Sequence, residues 1–391
     1  MPLPFAAATE TADALVALFV VLLAAKLGDE LFKRIHQPAI VGEILAGVLV
    51  GPSLLGFVEP DEALELFAEL GVVFLLFWVG LETKVSDLRE VGGTAIRVGV
   101  MGVIVPFAAG FGLGIAIGED AQTSTFIGAA LVATSVGITS AVLIELGVLD
   151  SRAARTILGA AIVDDILALV LLAVAVGVAE GDVDVASIGV VIGLAAGFVA
   201  FVGLGGTAIM RRRPGLLHTP RFSESPLLPA VLLCLGLAAF AAQIGLAAII
   251  GAFFAGMIVA ETRDQHPIEE EIAPLYAFFP PFFFAFIGTQ VDLDALLDLE
   301  TLALLAGVTI VAIATKLAGG VIGARSMGRR DALLVGTGMV PRGEVGIIVA
   351  GIGVTAGVID EQLFAVIVGM SILTTLLVPP FLRRMTANPS G

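Results

Sequence analysis

The chain is written as long apolar runs separated by short polar breaks. Windows of mostly apolar residues predict helices at 14–32, 38–57, 63–81, 91–117, 123–145, 153–179, 186–209, 227–243, 246–261, 272–288, 302–324, 331–355 and 361–382. Most are near the roughly 20 residues that a helix needs to cross a bilayer. Membrane β-strands would instead alternate over segments of about 10 residues. The pattern therefore predicts an all-α polytopic membrane protein with thirteen spans.

Charge tests that count independently. Loops after odd-numbered spans hold Lys33, Arg34, Lys84, Arg89, Arg152, Arg211, Arg212, Arg213, Arg221, Arg263, Arg325, Arg329 and Arg330, and the tail adds Arg383 and Arg384. Loops after even-numbered spans hold acids only, among them Glu59, Asp61, Glu119, Asp120, Asp182, Asp184, Asp292, Asp294 and Asp360. By the positive-inside rule the N-terminus lies outside and the C-terminus in the cytoplasm, with the plasma membrane as the location.

Composition agrees, at 58% hydrophobic and 14% charged residues, with a mean hydropathy of +1.06. Soluble domains average about 45–50% apolar and about 25% charged, so a water-soluble fold is excluded. The net charge of −16, with four lysines among 20 basic residues, argues against nucleic acid as a partner and suits a salty cytoplasm. Cys234 is the single cysteine, which excludes disulfides and cysteine metal sites. No G-x-x-x-x-G-K loop occurs, so nothing points to a nucleotide driving the protein; no cofactor is expected.

Shifted by about 209 residues, the chain partly matches itself. AIVGEILAGVLV at 39–50 resembles AIIGAFFAGMIV at 248–259, GVLD at 147–150 returns as GVID at 357–360, and Phe77–Gly80 is loosely repeated as Ala285–Gly288. By the charge alternation the matched segments cross the membrane in opposite directions. Six helices, a linker helix at 186–209 and six more helices then form an inverted repeat, the architecture of secondary transporters.

Ionisable groups inside spans cost about 2.5–3.5 kcal/mol each on insertion scales, so each needs a reason. Asp164 and Asp165 sit together near the centre of the sixth span. Neighbours on a helix point about 100° apart, so one can face a watery cavity and the other a helix. Two carboxylates this close resist simultaneous ionisation, which keeps a proton exchangeable. Lys316 falls in the middle of the eleventh span, too deep to snorkel easily, and either aspartate can partner it. The competing reading is an ion pair that only stabilises the fold.

Two spans are interrupted. The fifth carries Thr134, Ser135, Gly137, Thr139 and Ser140; the twelfth carries Pro341, Arg342, Gly343 and Glu344. At a shift of 210, Thr134 corresponds to Glu344, so the breaks are symmetry mates. Paired breaks present carbonyls and half-helix ends to an ion, and Thr134 and Ser135 add hydroxyl oxygens suited to a hard cation. Arg342 and Glu344 either support the broken helix or act directly. Glu43 and Glu69 line a cavity or a subunit contact. Lys26 and Arg97 lie within reach of an interface, and His36, His218 and His266 fall at predicted cytoplasmic edges. Pro106, Pro280 and Pro281 read as kinks.

On VATSVGIT (132–139), ILGAAIVDD (157–165), Lys316, PRGEVGIIVA (341–350) and GEILAGVLVGP (42–52), the chain resembles the monovalent cation:proton antiporter superfamily, in its paired-aspartate sodium/proton branch. The resemblance spans nearly the whole chain. It implies a scaffold used for homodimerisation (1–90 and 227–300), a transport core (91–180 and 301–391) and the linker at 186–209, with the two broken helices crossing. It implies that Asp165 is the principal Na⁺ or Li⁺ ligand and that Asp164 pairs with Lys316. Potassium-efflux relatives append a nucleotide-binding domain, and none is expected here.

The activity so implied is Na⁺ export against protons by alternating access, with ion and protons competing for the carboxylates. Two protons per Na⁺ would make it electrogenic. The alternative is K⁺/proton or mixed exchange. An intramembrane aspartyl protease would need its two aspartates on different helices, so no enzyme is expected.

Overall fold

The computed structural model describes residues 4–35, 37–83, 85–180, 185–212, 227–262, 268–291, 293 and 298–387. Among these residues all regular structure is helical. Eight stretches are long and apolar enough to cross a membrane, joined by shorter apolar helices. In order the elements are α1 (Pro4–Arg34), α2 (Ala39–Val50), α3 (Glu62–Leu81), α4 (Val85–Ile117), α5 (Ala121–Val132), α6 (Val136–Glu145), α7 (Arg152–Glu180), α8 (Val185–Phe198) and α9 (Thr207–Arg212). They continue as α10 (Leu227–Gln243), α11 (Ala248–Ala260), α12 (Ile268–Phe278), α13 (Pro280–Thr289), α14 (Leu299–Ala324), α15 (Arg329–Gly338), α16 (Glu344–Thr355) and α17 (Glu361–Ala387).

Every predicted span coincides with one of these helices or with a consecutive group of them. Where the boundaries differ, local chemistry explains it. The second span stops at Val50, because Gly51 is extended and Pro52 lacks an N–H to continue the ladder. The tenth divides at Phe279, and Pro280 and Pro281 then occupy the first turn of α13, where proline costs nothing. Pro106 does not divide its helix: α4 runs through it. Between α8 and α9 the linker adopts a π-helical stretch, Val199–Gly206, that no local signal foretold. Asp61, Asp120 and Asp298 cap α3, α5 and α14 by accepting main-chain N–H groups.

Two sets of helices pack mainly among themselves. In one, α1 lies on α2, α2 on α13, and α3 on α11 and α13; in the other, α4 lies on α5, α7 and α14, and α16 on α5 and α17. The first set is held by close glycine crossings. A Cβ at Gly47 would collide with the Ala285 carbonyl and one at Gly288 with that of Ile44; Gly80 and Gly256 meet Phe253 and Phe77 in the same manner. These four glycines are the ones paired by the internal offset, Gly47 with Gly256 and Gly80 with Gly288. Membrane helices associate through such small residues because the lipid supplies no hydrophobic drive. On α1, Phe19, Leu23, Leu27 and Leu31 form an exposed apolar stripe.

Candidate functional site

The chemistry gathers where α5–α6 and α15–α16 break. Residues Ala133–Ser135 and Met339–Gly343 leave the helical conformation in mid-membrane, the second around Pro341, which cannot donate to a preceding turn. The two breaks bind each other. Ser135 N–H donates to the Pro341 carbonyl at 2.8 Å, and the Thr139 hydroxyl to the Gly338 carbonyl at 2.7 Å. Thr134 Oγ1 reaches the Met339 carbonyl at 3.4 Å.

Each break exposes the negative end of a half-helix, and a buried cation meets each one. At the end of α5, Lys316 Nζ donates to the Val132 carbonyl at 2.5 Å. At the end of α15, Arg342 Nη1 donates to the carbonyls of Val340 at 2.9 Å and Met339 at 3.4 Å, while Nη2 reaches the Ala312 carbonyl at 3.3 Å. Thr374 and Thr375 hold the Arg342 main chain from α17. Lys316 and Arg342 are both fully buried.

Lys316 is saturated by three acceptors. Besides Val132 it donates to Asp164 Oδ1 at 2.7 Å and to the Gly102 carbonyl at 2.7 Å. Asp164 is therefore the partner, as the family resemblance implies, although helical spacing alone leaves either aspartate possible. Gly102 was not anticipated, yet its signal is local. In a helix its carbonyl would accept from residue 106, and residue 106 is proline, which has no N–H. Pro106 thus frees the oxygen that Lys316 uses.

Asp165 points elsewhere from Asp164, as the helical twist requires. With Leu76, Val136, Ile162 and Phe253 it lines a cavity of about 10 Å³, room for about one water or bare ion. Two buried oxygens at the site have no hydrogen-bond partner within the protein, Asp164 Oδ2 and Ser135 Oγ. Gly343 lies against that hydroxyl: a Cβ there would stand 2.6 Å from Ser135 Oγ. Unsatisfied buried oxygens are costly unless a donor or cation completes them, and hard oxygen ligands suit Na⁺ or Li⁺. Among the described residues no group of three or more His, Cys, Asp or Glu forms a metal cluster. A cation here would draw on two carboxylates, hydroxyls and main-chain carbonyls.

Of the remaining candidates, the Glu344 side chain and His36, His218 and His266 lie outside the described residues. Glu43 is buried, its Oε1 4.0 Å from Lys26 Nζ. Arg97 donates to Thr94 and Ser326. Glu69 lines, with Glu65 and Gln290, a separate cavity of about 220 Å³ between α3, α13 and α16.

Residues 16–386 match the transmembrane sodium/hydrogen exchanger family. The chain belongs to that family. It is a family of transporters, and its members are multi-pass membrane proteins. The chain is 36% identical over 370 residues to the Na⁺/H⁺–K⁺ antiporter GerN of Bacillus cereus, covering 93% of this chain and 94% of that one. It is also 36% identical over 418 residues to the high-affinity Na⁺/H⁺ antiporter NhaS3 of Synechocystis, covering 96% and 90%. The solved structure of the sodium proton antiporter MjNhaP1 from Methanocaldococcus jannaschii superposes with a TM-score of 0.72 at 18% identity, covering 97% of this chain and 99% of that one. That likeness establishes the shared fold.

Proposed function

We propose that this protein exports Na⁺ or Li⁺ in exchange for protons, with Asp165 as the principal ion ligand and Asp164 as its partner. The observation that carries the reading is the fully buried Lys316–Asp164 pair at the crossing of two broken helices, with Asp165 beside it. A pair so buried repays its desolvation only when every partner is satisfied. Anything that draws on Asp164 therefore disturbs the lysine. When Na⁺ reaches Asp165 and the open oxygens of Asp164 and Ser135, its charge repels the ammonium and competes for Asp164. Lys316 then surrenders a proton in addition to the one displaced from Asp165. Two protons against one Na⁺ move one net charge, worth about 2.3 kcal/mol per 100 mV.

In this reading α4–α7 and α14–α17 form a core that slides against the glycine-crossed set α1–α3 and α10–α13, which also carries the homodimer contact. The N-terminus is outside and the C-terminus cytoplasmic, as the basic loops suggest. A mixed Na⁺/K⁺ activity is the second reading, favoured by the likeness to GerN, a Na⁺/H⁺–K⁺ antiporter. The test is proton flux in proteoliposomes against Na⁺, Li⁺ and K⁺. Asp165→Asn should abolish exchange; full Na⁺-driven proton movement in that variant would sink the site assignment.

A further inference from the structure

A cavity of about 470 Å³ separates the linker from α4, α7 and α11. Gly92 and Ile96 form one wall, Ile162 and Ile166 another, Ala200 and Phe254 the remainder. No side chain lining it carries a charge, hydroxyl or amide. Water and ions find no partners in such a space, so it is no part of an ion path. It opens sideways: Ile96 on its wall is 55% exposed, and Phe201 beside Ala200 is 75% exposed. Both positions face the bilayer, whose apolar component is the acyl chain.

The linker also carries a polar anchor at the matching depth. Ala200 precedes Arg211 by eleven residues, at most about 16 Å, since the π-helical part of the linker rises less than the roughly 1.5 Å per residue of an α-helix. That is about half the roughly 30 Å hydrocarbon thickness. The cavity lies toward the side of the basic loops, since Leu88 and Met257 on its wall are three residues from the ends of α4 and α11, and the exposed Arg211 and Arg212 of α9 lie at headgroup level on that side. Basic groups at that level attract anionic lipids.

We propose that this cavity binds one acyl chain of an anionic bilayer phospholipid whose headgroup rests on Arg211 and Arg212. Ile162 borders both this cavity and the Asp165 cavity. The chain of the lipid therefore packs one side chain away from the ion site, and wedges α7 against the linker. The consequence for transport rests on the antiport reading above, but binding itself does not, so the two fail separately.

The test uses the full chain, purified and delipidated in detergent. Thermal unfolding and native mass spectrometry are compared after adding dioleoyl phosphatidylglycerol or dioleoyl phosphatidylcholine. In the wild type, phosphatidylglycerol should raise Tm more and be retained as an adduct. Arg211→Gln with Arg212→Gln should erase the difference between the two lipids. A Cβ on Gly92 meets nothing within 4 Å, so the side chain of Gly92→Leu starts into open space at the cavity wall. That variant, and Ala200→Leu as a second filling from the opposite wall, should lose stabilisation by both lipids. Equal Tm shifts from the two lipids in the wild type, or wild-type adducts in both filled variants, would overturn the proposal.

Discussion

Lys316→Gln separates the structural task of the lysine from its proton. The wild-type ammonium serves Asp164, Val132 and Gly102 at once. Glutamine has two N–H donors and no charge. Removing one partner of a buried ion pair typically costs about 3–5 kcal/mol, because the other charge stays behind. The variant should fold with a lowered Tm and keep one-for-one exchange through Asp165. The coupling should change more than the stability. With two protons per Na⁺, a potential of about 100 mV contributes about 2.3 kcal/mol. Since about 1.4 kcal/mol is tenfold in an equilibrium, that potential supports a Na⁺ gradient roughly 50-fold beyond what the pH gradient alone sustains. In Lys316→Gln the extra factor should shrink toward one. The assay is the steady Na⁺ gradient in proteoliposomes with K⁺ and valinomycin clamping the potential at several values. A variant that transports and responds to potential as strongly as wild type would show that the lysine proton is not coupled.

Pro106→Ala restores an N–H that competes with Lys316 for the Gly102 carbonyl. It should weaken the lysine anchor by about 0.5–1.5 kcal/mol, the worth of one hydrogen bond, and an unshifted pH–activity profile would refute that role. Gly256→Val places a side chain into the Phe77 carbonyl at the α3–α11 crossing. Overpacking of this kind costs about 1–3 kcal/mol, so an unchanged Tm would contradict the close approach.

Much of this architecture was legible because the membrane imposes simple rules. A span must be long and apolar, so all the predicted segments correspond to helices. Thr134–Ser135 and Pro341–Arg342–Gly343 betrayed the two breaks, since such residues rarely share mid-membrane positions without a polar task. Other features depend on tertiary geometry. Helical periodicity says that Asp164 and Asp165 diverge by about 100°, but not which one meets Lys316. That is decided by the placement of α14 against α4. Pro106 reads as a kink in the sequence, yet α4 continues through it, and its consequence lies four residues earlier in the oxygen it releases. The π-helical stretch in the linker has no local sequence marker, because backbone geometry there follows packing rather than propensity.

The two half-helix ends are met by different cations, and the difference has a consequence. Both α5 and α15 stop in mid-membrane with carbonyls exposed, and each needs a positive charge. At α15 the residue is Arg342, which stays charged under all physiological conditions and spreads its donors over several carbonyls. At α5 it is Lys316, a compact ammonium that can lose its proton. An arginine at both ends would cap equally well and never titrate. Lysine therefore stands in direct contact with Asp164, whereas arginine bonds carbonyls. If proton release is the reason, Lys316→Arg should keep the charge at α5 and fold, with Tm nearer to wild type than Lys316→Gln. It should nonetheless lose the second proton. The converse change, Arg342→Lys, should lower Tm by removing donors to Ala312 and Met339, without altering the proton-to-Na⁺ ratio. The ratio is read from the reversal potential of Na⁺ flux at fixed pH gradients. A Lys316→Arg protein that still exchanges two protons per Na⁺ would mean that the second proton travels on Asp164.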